Sequence, residues 1–389
     1  MDKGTIQVVQ FGNKTPADKK KLKQFVDFHW KHYKQDAYYI PLLDYEYLGF
    51  HLIGIQGFFE AENLFFEHAE MRWFMAVQNS EVVGRCISFM NFNHNKHWKD
   101  QVGFFGLFES IEDPEITKQL LNEAKLWLKG KGADRMRGPV NLPVNEATPG
   151  IMTGGFKSRP VMYYHYNKPY YEKLLTGYGL KPVKRVLSWE ISVQEPMHEK
   201  IDRLAQKIMK RYNIRIEKWG ERSLQERKTE MFQIYNEAWN DNWGFVPFTS
   251  KEFYHIINDM TLIMDKNLFA FIYVNSEPAA FFGAVPNVTE KMVPIRWCRR
   301  CELLRAIKAI LGAKRTQGMR LGYLGVRPKF RRMGLDGVMI WKQKQYAMSR
   351  GYQYSDAGWV LEDNFMVTRL IDLLGGRLSK TYTVYEQSL

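Results

Sequence analysis

One stretch near the C-terminal end carries residue types that could hold a pyrophosphate: Val326-Arg-Pro-Lys-Phe-Arg-Arg-Met-Gly-Leu-Asp-Gly337. The apolar segment before it, Leu321 to Val326, reads as a strand, and the Pro-free run after it, Leu335 to Arg350, reads as a helix. A strand that ends in a basic, Gly-containing turn and opens a helix presents unpaired N–H groups, the positive end of a helix dipole and room for an anion. The candidate binding residues are Leu324, Gly325, Val326, Arg331, Arg332, Met333, Gly334, Leu335, Asp336 and Gly337. Arg331 and Arg332 supply charge and Gly334 supplies space, whereas the carboxylate of Asp336 opposes a phosphate.

The rest of the chain must position this turn. Its 389 residues suffice for two to three domains, and a 45% hydrophobic, 15% aromatic composition specifies packed cores. A net charge of +14 implies an anionic partner: nucleic acid, a membrane surface or a phosphorylated cofactor. Three cysteines, Cys86, Cys298 and Cys301, and a polar N-terminus lead to the expectation of a cytoplasmic protein without a transmembrane segment. Cys298 and Cys301 read as two ordinary thiols, because a zinc site needs four ligands, so no metal is expected.

Read for periodicity, the first half gives a strand over 5–11, a basic helix over 17–32 and an aromatic-rich, partly helical region over 38–66. A hairpin follows over 73–91 through Asn79-Ser80, then a strand over 102–108 and a helix from Pro114 to about Lys129. A strand over 135–139, a long loop over 140–160, a short helix over 169–177 and an extended pair of strands over 181–193 complete it. The second half repeats this order, with a hairpin through Asn275-Ser276-Glu277-Pro278 and a final extended segment to Tyr385. The helix ends match as well: Asn167-Lys-Pro-Tyr-Tyr-Glu-Lys-Leu-Leu-Thr-Gly-Tyr-Gly179 parallels Asn364-Phe-Met-Val-Thr-Arg-Leu-Ile-Asp-Leu-Leu-Gly-Gly376. A repeat of this length predicts two domains, 1–195 and 196–389.

The turn Arg331-Arg-Met-Gly334-Leu-Asp336, with Val326 and Pro328 before it, resembles the acyl-CoA-binding turn of the GCN5-related N-acetyltransferases. The segments that begin at Asn167 and Asn364 resemble that family's late motif, and Asn364 thereby joins the expected cofactor contacts. Asn63-Leu-Phe-Phe-Glu-His-Ala-Glu70, Gly138-Pro-Val-Asn141 and the segment Asn236 to Phe248 resemble a group of bacterial tandem acetyltransferase-like proteins. The resemblance implies an α/β (α+β) fold of two tandem acyl-CoA N-acyltransferase-like domains, with mixed, mostly antiparallel sheets flanked by helices. It implies acyl transfer from acetyl-CoA or another acyl-CoA to an amine on a small molecule or peptide. Only the second copy is expected to bind the cofactor. At the matching place the first reads Phe108-Glu-Ser-Ile-Glu-Asp-Pro114, without Arg or Gly, and Asp113 before Pro114 reads as a helix cap.

In relatives a Tyr in the late motif protonates the departing thiolate, and here that pair reads Leu370-Ile371. Tyr354, Tyr382 and Tyr385 are the candidate replacements, and Asp241 or Glu362 could order a water for the amine. The segment Arg296 to Arg320 is basic, with Trp297, Cys301, Leu304, Ile307 and Leu311 at helical spacing. It supports a non-catalytic binding protein that docks RNA or a membrane surface, or equally a place beside the cofactor cleft near the 3′-phosphate of coenzyme A; the overall basic charge also permits a third alternative, aminoacyl transfer from tRNA. Nucleic-acid recognition motifs are otherwise missing from the sequence.

Overall fold

The computed structural model describes residues 4–51, 54–197, 199–293 and 300–389. The first repeat runs β1 (Ile6–Phe11), α1 (Pro16–His32), α2 (Asp44–Leu48), β2 (Ala69–Gln78), β3 (Glu81–Asn91), α3 (Phe92–Trp98) and β4 (Val102–Ser110). It continues with α4 (Pro114–Gly130), β5 (Arg135–Gly138), β6 (Ile151–Gly154), α5 (Tyr171–Tyr178) and β7 (Lys181–Ser192). The second runs α6 (Glu199–Arg211), β8 (Ile214–Lys218), α7 (Leu224–Trp239), α8 (Ser250–Met260), β9 (Phe269–Val274), β10 (Glu277–Pro286) and α9 (Glu302–Gly312). Then come β11 (Gly318–Val326), α10 (Leu335–Ser349), β12 (Tyr354–Leu361), α11 (Phe365–Leu373) and β13 (Arg377–Ser388).

Local chemistry explains the element ends. Thr15 accepts from the Asp18 N–H while Asp18 reaches back to Thr15, a reciprocal cap that starts α1 with Pro16 in its first turn. Both tight hairpins use an Asn-Ser pair, and all four residues have positive φ: Asn79, Ser80, Asn275 and Ser276. Two successive left-handed residues match the right-handed twist of the strands they join, and Asn is among the residues that adopt that conformation. The recurrence of the device in both halves marks the repeat in the backbone itself.

The chain divides into two compact units: Met1–Val186 with Pro294–Glu302 and Lys380–Leu389, and Leu187–Val293 with Leu303–Ser379. In the first unit the strand order is β1-β2-β3-β4-β5-β13, with β6 on β13; β4 and β5 run parallel, and the other pairs are antiparallel. One sheet face packs Phe74, Phe105 and Met136 against Leu120, Leu121 and Ala124 of α4. The other packs Trp73, Phe89 and Phe104 against Phe25 of α1 and Phe59 of the aromatic-rich region. In the second unit the order is β7-β12-β11-β10-β9-β8, with β11 and β12 parallel. Helices α7 and α8 cover one face of this sheet, and α6 and α10 cover the other.

The expected long loop over 140–160 contains β6, and the expected pair of strands over 181–193 is instead one continuous strand of 12 residues. Lys380–Leu389 completes the sheet of the first unit: Tyr385 pairs with Gly138, and Tyr382 with Met152. Cys301 is disulfide-bonded, which corrects the reading of it as a free thiol; Cys298 and Trp297 lie outside the described residues. No helix among the described residues is long and apolar enough to cross a membrane.

The first unit buries a polar network at the end of β4. Glu109 accepts from the Tyr33 and Tyr171 hydroxyls at 2.5 Å each, and Arg85 stands 3.9 Å from it. Burial raises the Glu109 carboxyl above the usual carboxylate range, and Arg85 and the two hydroxyls only partly offset this.

Two outcomes follow. Tyr382, Val384 and Tyr385 are fully buried, and at about 1.5–3 kcal/mol each their loss approaches the whole stability of a domain. Deleting residues 380–389 should therefore unfold the first unit, seen as proteolysis within 4–186; retention of a protease-resistant first unit would contradict the strand assignment. The second concerns pH. With its folded pKa raised, Glu109 stabilises the fold while protonated, and that contribution is lost as pH rises through the folded value. Glu109→Gln should thus shrink the drop in Tm as pH rises above the ordinary glutamate value of about 4.3; an unchanged drop would place the proton elsewhere.

Candidate functional site

The site begins where two parallel strands part. β11 and β12 are in register only from Gly318 opposite Tyr354 to Leu321 opposite Ala357. From Gly322 onward β11 keeps its antiparallel partner β10 and has left β12. The register with β10 slips at the same point: Ala284 faces Leu321 and Gly283 faces Tyr323, so Gly322 is the extra residue of a β-bulge. A bulge bends a strand and leaves backbone groups unpaired, and here it opens the sheet beside residues 322–326. Gly325 is required for a packing reason, because a Cβ there would sit 2.6 Å from the Trp239 ring.

Eight residues, Arg327 to Gly334, join β11 to α10. Arg327 is held by Glu237 at 2.8 Å, Glu277 at 3.1 Å and the Pro278 carbonyl, and Lys329 by Glu277 at 2.6 Å. Arg331 donates to the Ala238 carbonyl at 2.9 Å and lies 3.8 Å from Asp241. Arg332 is exposed and has no ion-pair or hydrogen-bond partner among the described residues. Its φ of 69° and the 75° of Gly334 are left-handed, so the chain changes hand in the turn that enters α10. Gly334 caps α10 without a side-chain bond, so the first-turn N–H groups have no acceptor from the helix or from a cap residue.

The other expected residues distribute as follows. Leu335 is buried in the core and offers the turn only its backbone. Met333 and Leu324 pack at the edge of that core, and Val326 pairs with Ala280. Asp336 is half-buried in the first turn of α10. A Cβ on Gly337 would meet nothing within 4 Å, whereas one on Gly334 would meet Ile208 at 2.6 Å. The Asn364 side chain accepts from the Val367 N–H as the cap of α11.

The tyrosines occupy other posts. The Tyr354 hydroxyl donates to Glu290 at 2.9 Å and accepts from the Asn287 amide at 2.9 Å; Glu290 also takes the Gln317 and Gly318 N–H groups. That latch sits at the start of β11, about 13 Å of strand from Gly322 at roughly 3.3 Å per residue. Tyr382 donates to the His165 carbonyl and Tyr385 to Glu172, both within the first unit. Asp241 is 75% exposed beside Arg331. Two buried polar residues at the parting point escaped the sequence reading. Asp356, one residue before the last shared rung, accepts from the Ser188 hydroxyl at 2.6 Å, and Arg320 donates to the Gly358 carbonyl at 3.2 Å. Their signal was polar residues inside a central strand.

The first unit has the same opening, already filled. β4 and β5 share a register from Val102 to Phe104 and then part, and β4 bulges at Leu107, where φ is 46°. The Leu107 N–H donates to the Asn141 side chain at 2.9 Å, and the Val140 N–H donates to the Phe105 carbonyl at 2.7 Å. Gly106 leaves room for the Val140 carbonyl. Only Ile111 to Asp113 joins β4 to α4, and Asp113 caps that helix by accepting from Glu115.

No protein-family profile matches the chain. It is 26% identical over 388 residues to protein YghO of Escherichia coli (strain K12), covering 97% of this chain and 95% of that one. It is 28% identical over 342 residues to the bacterial ceramide synthase of Caulobacter vibrioides, covering 84% of this chain and 86% of that one. Among solved structures, a tandem GNAT protein from the clavulanic acid biosynthesis pathway superposes with a TM-score of 0.55 at 8% identity, over 99% of this chain and 98% of that one. A GCN5-related N-acetyltransferase from Sphaerobacter thermophilus does so with a TM-score of 0.51 at 12% identity, over 98% and 95%. The bulged, parting parallel strands in each half and these whole-chain superpositions lead to one conclusion: the chain has the fold of the GCN5-related N-acetyltransferases, present twice in tandem.

Proposed function

We propose that this chain is an acyl-CoA-dependent N-acyltransferase whose donor is held by the second unit alone and whose acceptor is an amine on a long-chain, amphipathic molecule. The observation that carries the donor part is one geometry in two states. In the first unit the opened strand edge is satisfied by Asn141 and Val140, while in the second residues 322–326 lead to a turn with an unpartnered arginine. The acceptor part rests on the relative named bacterial ceramide synthase, a ceramide being the amide of a fatty acid with a long-chain amino alcohol.

The residues present fit such a donor. Arg332 and the N–H groups of residues 333–337 would hold its pyrophosphate, with Gly337 facing open space and Asp336 opposing the charge. The donor supplies an activated thioester: a C–N bond forms, the C–S bond breaks, and the proton lost by the amine ends on the departing sulfur. Backbone N–H groups of the parted segment of β11 would stabilise the charge that builds on the carbonyl oxygen. Asp356, buried and fixed by Ser188, is the group proposed to order the amine or its water. None of the three tyrosines is assigned a proton transfer, so positioning supplies most of the rate.

Titration calorimetry with a long-chain acyl-CoA should give one site per chain. Arg332→Ala should weaken binding about tenfold, the scale of one exposed charge-assisted contact, and Asp336→Asn should tighten it. Two equal sites would contradict the proposal. In turnover, Tyr354→Phe, Tyr382→Phe and Tyr385→Phe should each cost less than about tenfold, against roughly 10²–10⁴ for a general acid. Across an amine panel kcat/KM should be highest for long-chain amino alcohols. Preference for short or peptide amines would overturn the acceptor part, and failure with every amine would replace the enzyme with a binding role.

A further inference from the structure

Helix α9 is packed inside out. At roughly 100° per residue its apolar side chains Leu303, Leu304, Ile307, Ile310 and Leu311 fall within an arc of roughly 120°, and that arc faces solvent. Each is between 42% and 75% exposed. The opposite side packs on the second unit with small or charged residues: Ala306 at 8% exposure, Ala309 at 5%, and Arg305 at 0%, which donates to the Met292 carbonyl at 2.9 Å. A helix that turned its apolar arc to the core would bury five large side chains. This one exposes them, and a run of this kind marks a surface that is covered in use.

The charges beside the arc select what covers it. Lys308 on the flank of the helix and Lys314 and Arg315 just beyond its end are exposed, and none has an ion-pair partner among the described residues. The single acid of the helix, Glu302, lies at its first residue, where it accepts from the Asp44 N–H. An apolar ridge with unpaired cations beside it is the pattern of a helix that lies in the headgroup region of an anionic bilayer. A second copy of the chain fits less well, because a two-fold contact across the ridge would bring like charges together. We propose that α9 seats the chain on an anionic lipid surface, with Leu304, Ile307 and Leu311 entering the acyl boundary and Lys308, Lys314 and Arg315 meeting phosphates. The inference rests on the proposed long-chain acceptor for its purpose, since a substrate of that kind resides in the bilayer.

The test is co-sedimentation of the full chain with vesicles of phosphatidylcholine alone or with phosphatidylglycerol added, without any acyl-CoA. Binding should require the anionic lipid and should weaken with salt. The double substitution Ile307→Asp with Leu311→Asp, at solvent-facing positions, should reduce it at least tenfold. Lys308→Glu, Lys314→Glu and Arg315→Glu should each cost at least about fivefold, the weight of one cation near a charged surface. Acyl-CoA binding by calorimetry should be unchanged in every variant. This separates the two claims, because loss of vesicle binding with intact acyl-CoA binding leaves the enzyme reading standing. Equal sedimentation of the double variant and the native chain would overturn the proposal. A concentration-dependent dimer that Ile307→Asp dissolves, with no vesicle binding, would assign the face to a second copy instead.

Discussion

A β-strand that leaves its neighbour part-way along exposes backbone N–H and C=O groups in the interior of a sheet, and such groups must find partners. Both units face this constraint at the same place, at the bulge in the strand that precedes the helix. The first unit meets it from within. Its chain folds back after β5, so that the Val140 N–H bonds the Phe105 carbonyl and the Asn141 side chain takes the Leu107 N–H. That solution is permanent, and the short connection to α4, capped by Asp113, agrees with it. Among the described residues the second unit has no matching plug: its bulge leads through eight residues into a left-handed turn and a helix without a side-chain cap. One geometry can thus be closed by the protein or kept for a ligand.

The cations of the second turn show how the difference is maintained. Arg327 and Lys329 tie the turn to β10 and α7 through Glu277 and Glu237, and Arg331 ties it to the end of α7. Three of four positive charges therefore brace the loop, and Arg332 is left over. A left-handed arginine is strained by roughly 1–3 kcal/mol, and rigid neighbours are what allow such a conformation to persist. Substitutions at the bracing residues should act through the shape of the turn, and those at Arg332 through charge.

Much of this was legible in sequence because it depends on local chemistry. The Arg-rich turn, the Asn-Ser hairpins and the Asp113 cap are each specified by residues adjacent in the chain. What was not legible depends on partners distant in sequence. Nothing in the pattern of residues 380–389 says that they complete the sheet of the first unit. Tyr382 and Tyr385 therefore read as candidates for a site to which the structure gives them no link. The burial of polar residues inside strands, such as Arg320 and Asp356, is set by packing and was not readable from the sequence. The stripe through Leu304, Ile307 and Leu311 was visible as a stripe, but its direction is set by which side of α9 the rest of the unit occupies. Periodicity says that a face exists and is silent about what it meets.

Hydrogen exchange of backbone amides with and without a long-chain acyl-CoA tests the central claim most directly, because it reads both openings in one experiment. The ligand should slow exchange along the edge of β11 that has left β12 and in the uncapped first turn of α10, within residues 322–337, and leave residues 104–116 unchanged, where Asn141 and Asp113 already hold the chain. Protection appearing at residues 104–116, or at both openings equally, would contradict it.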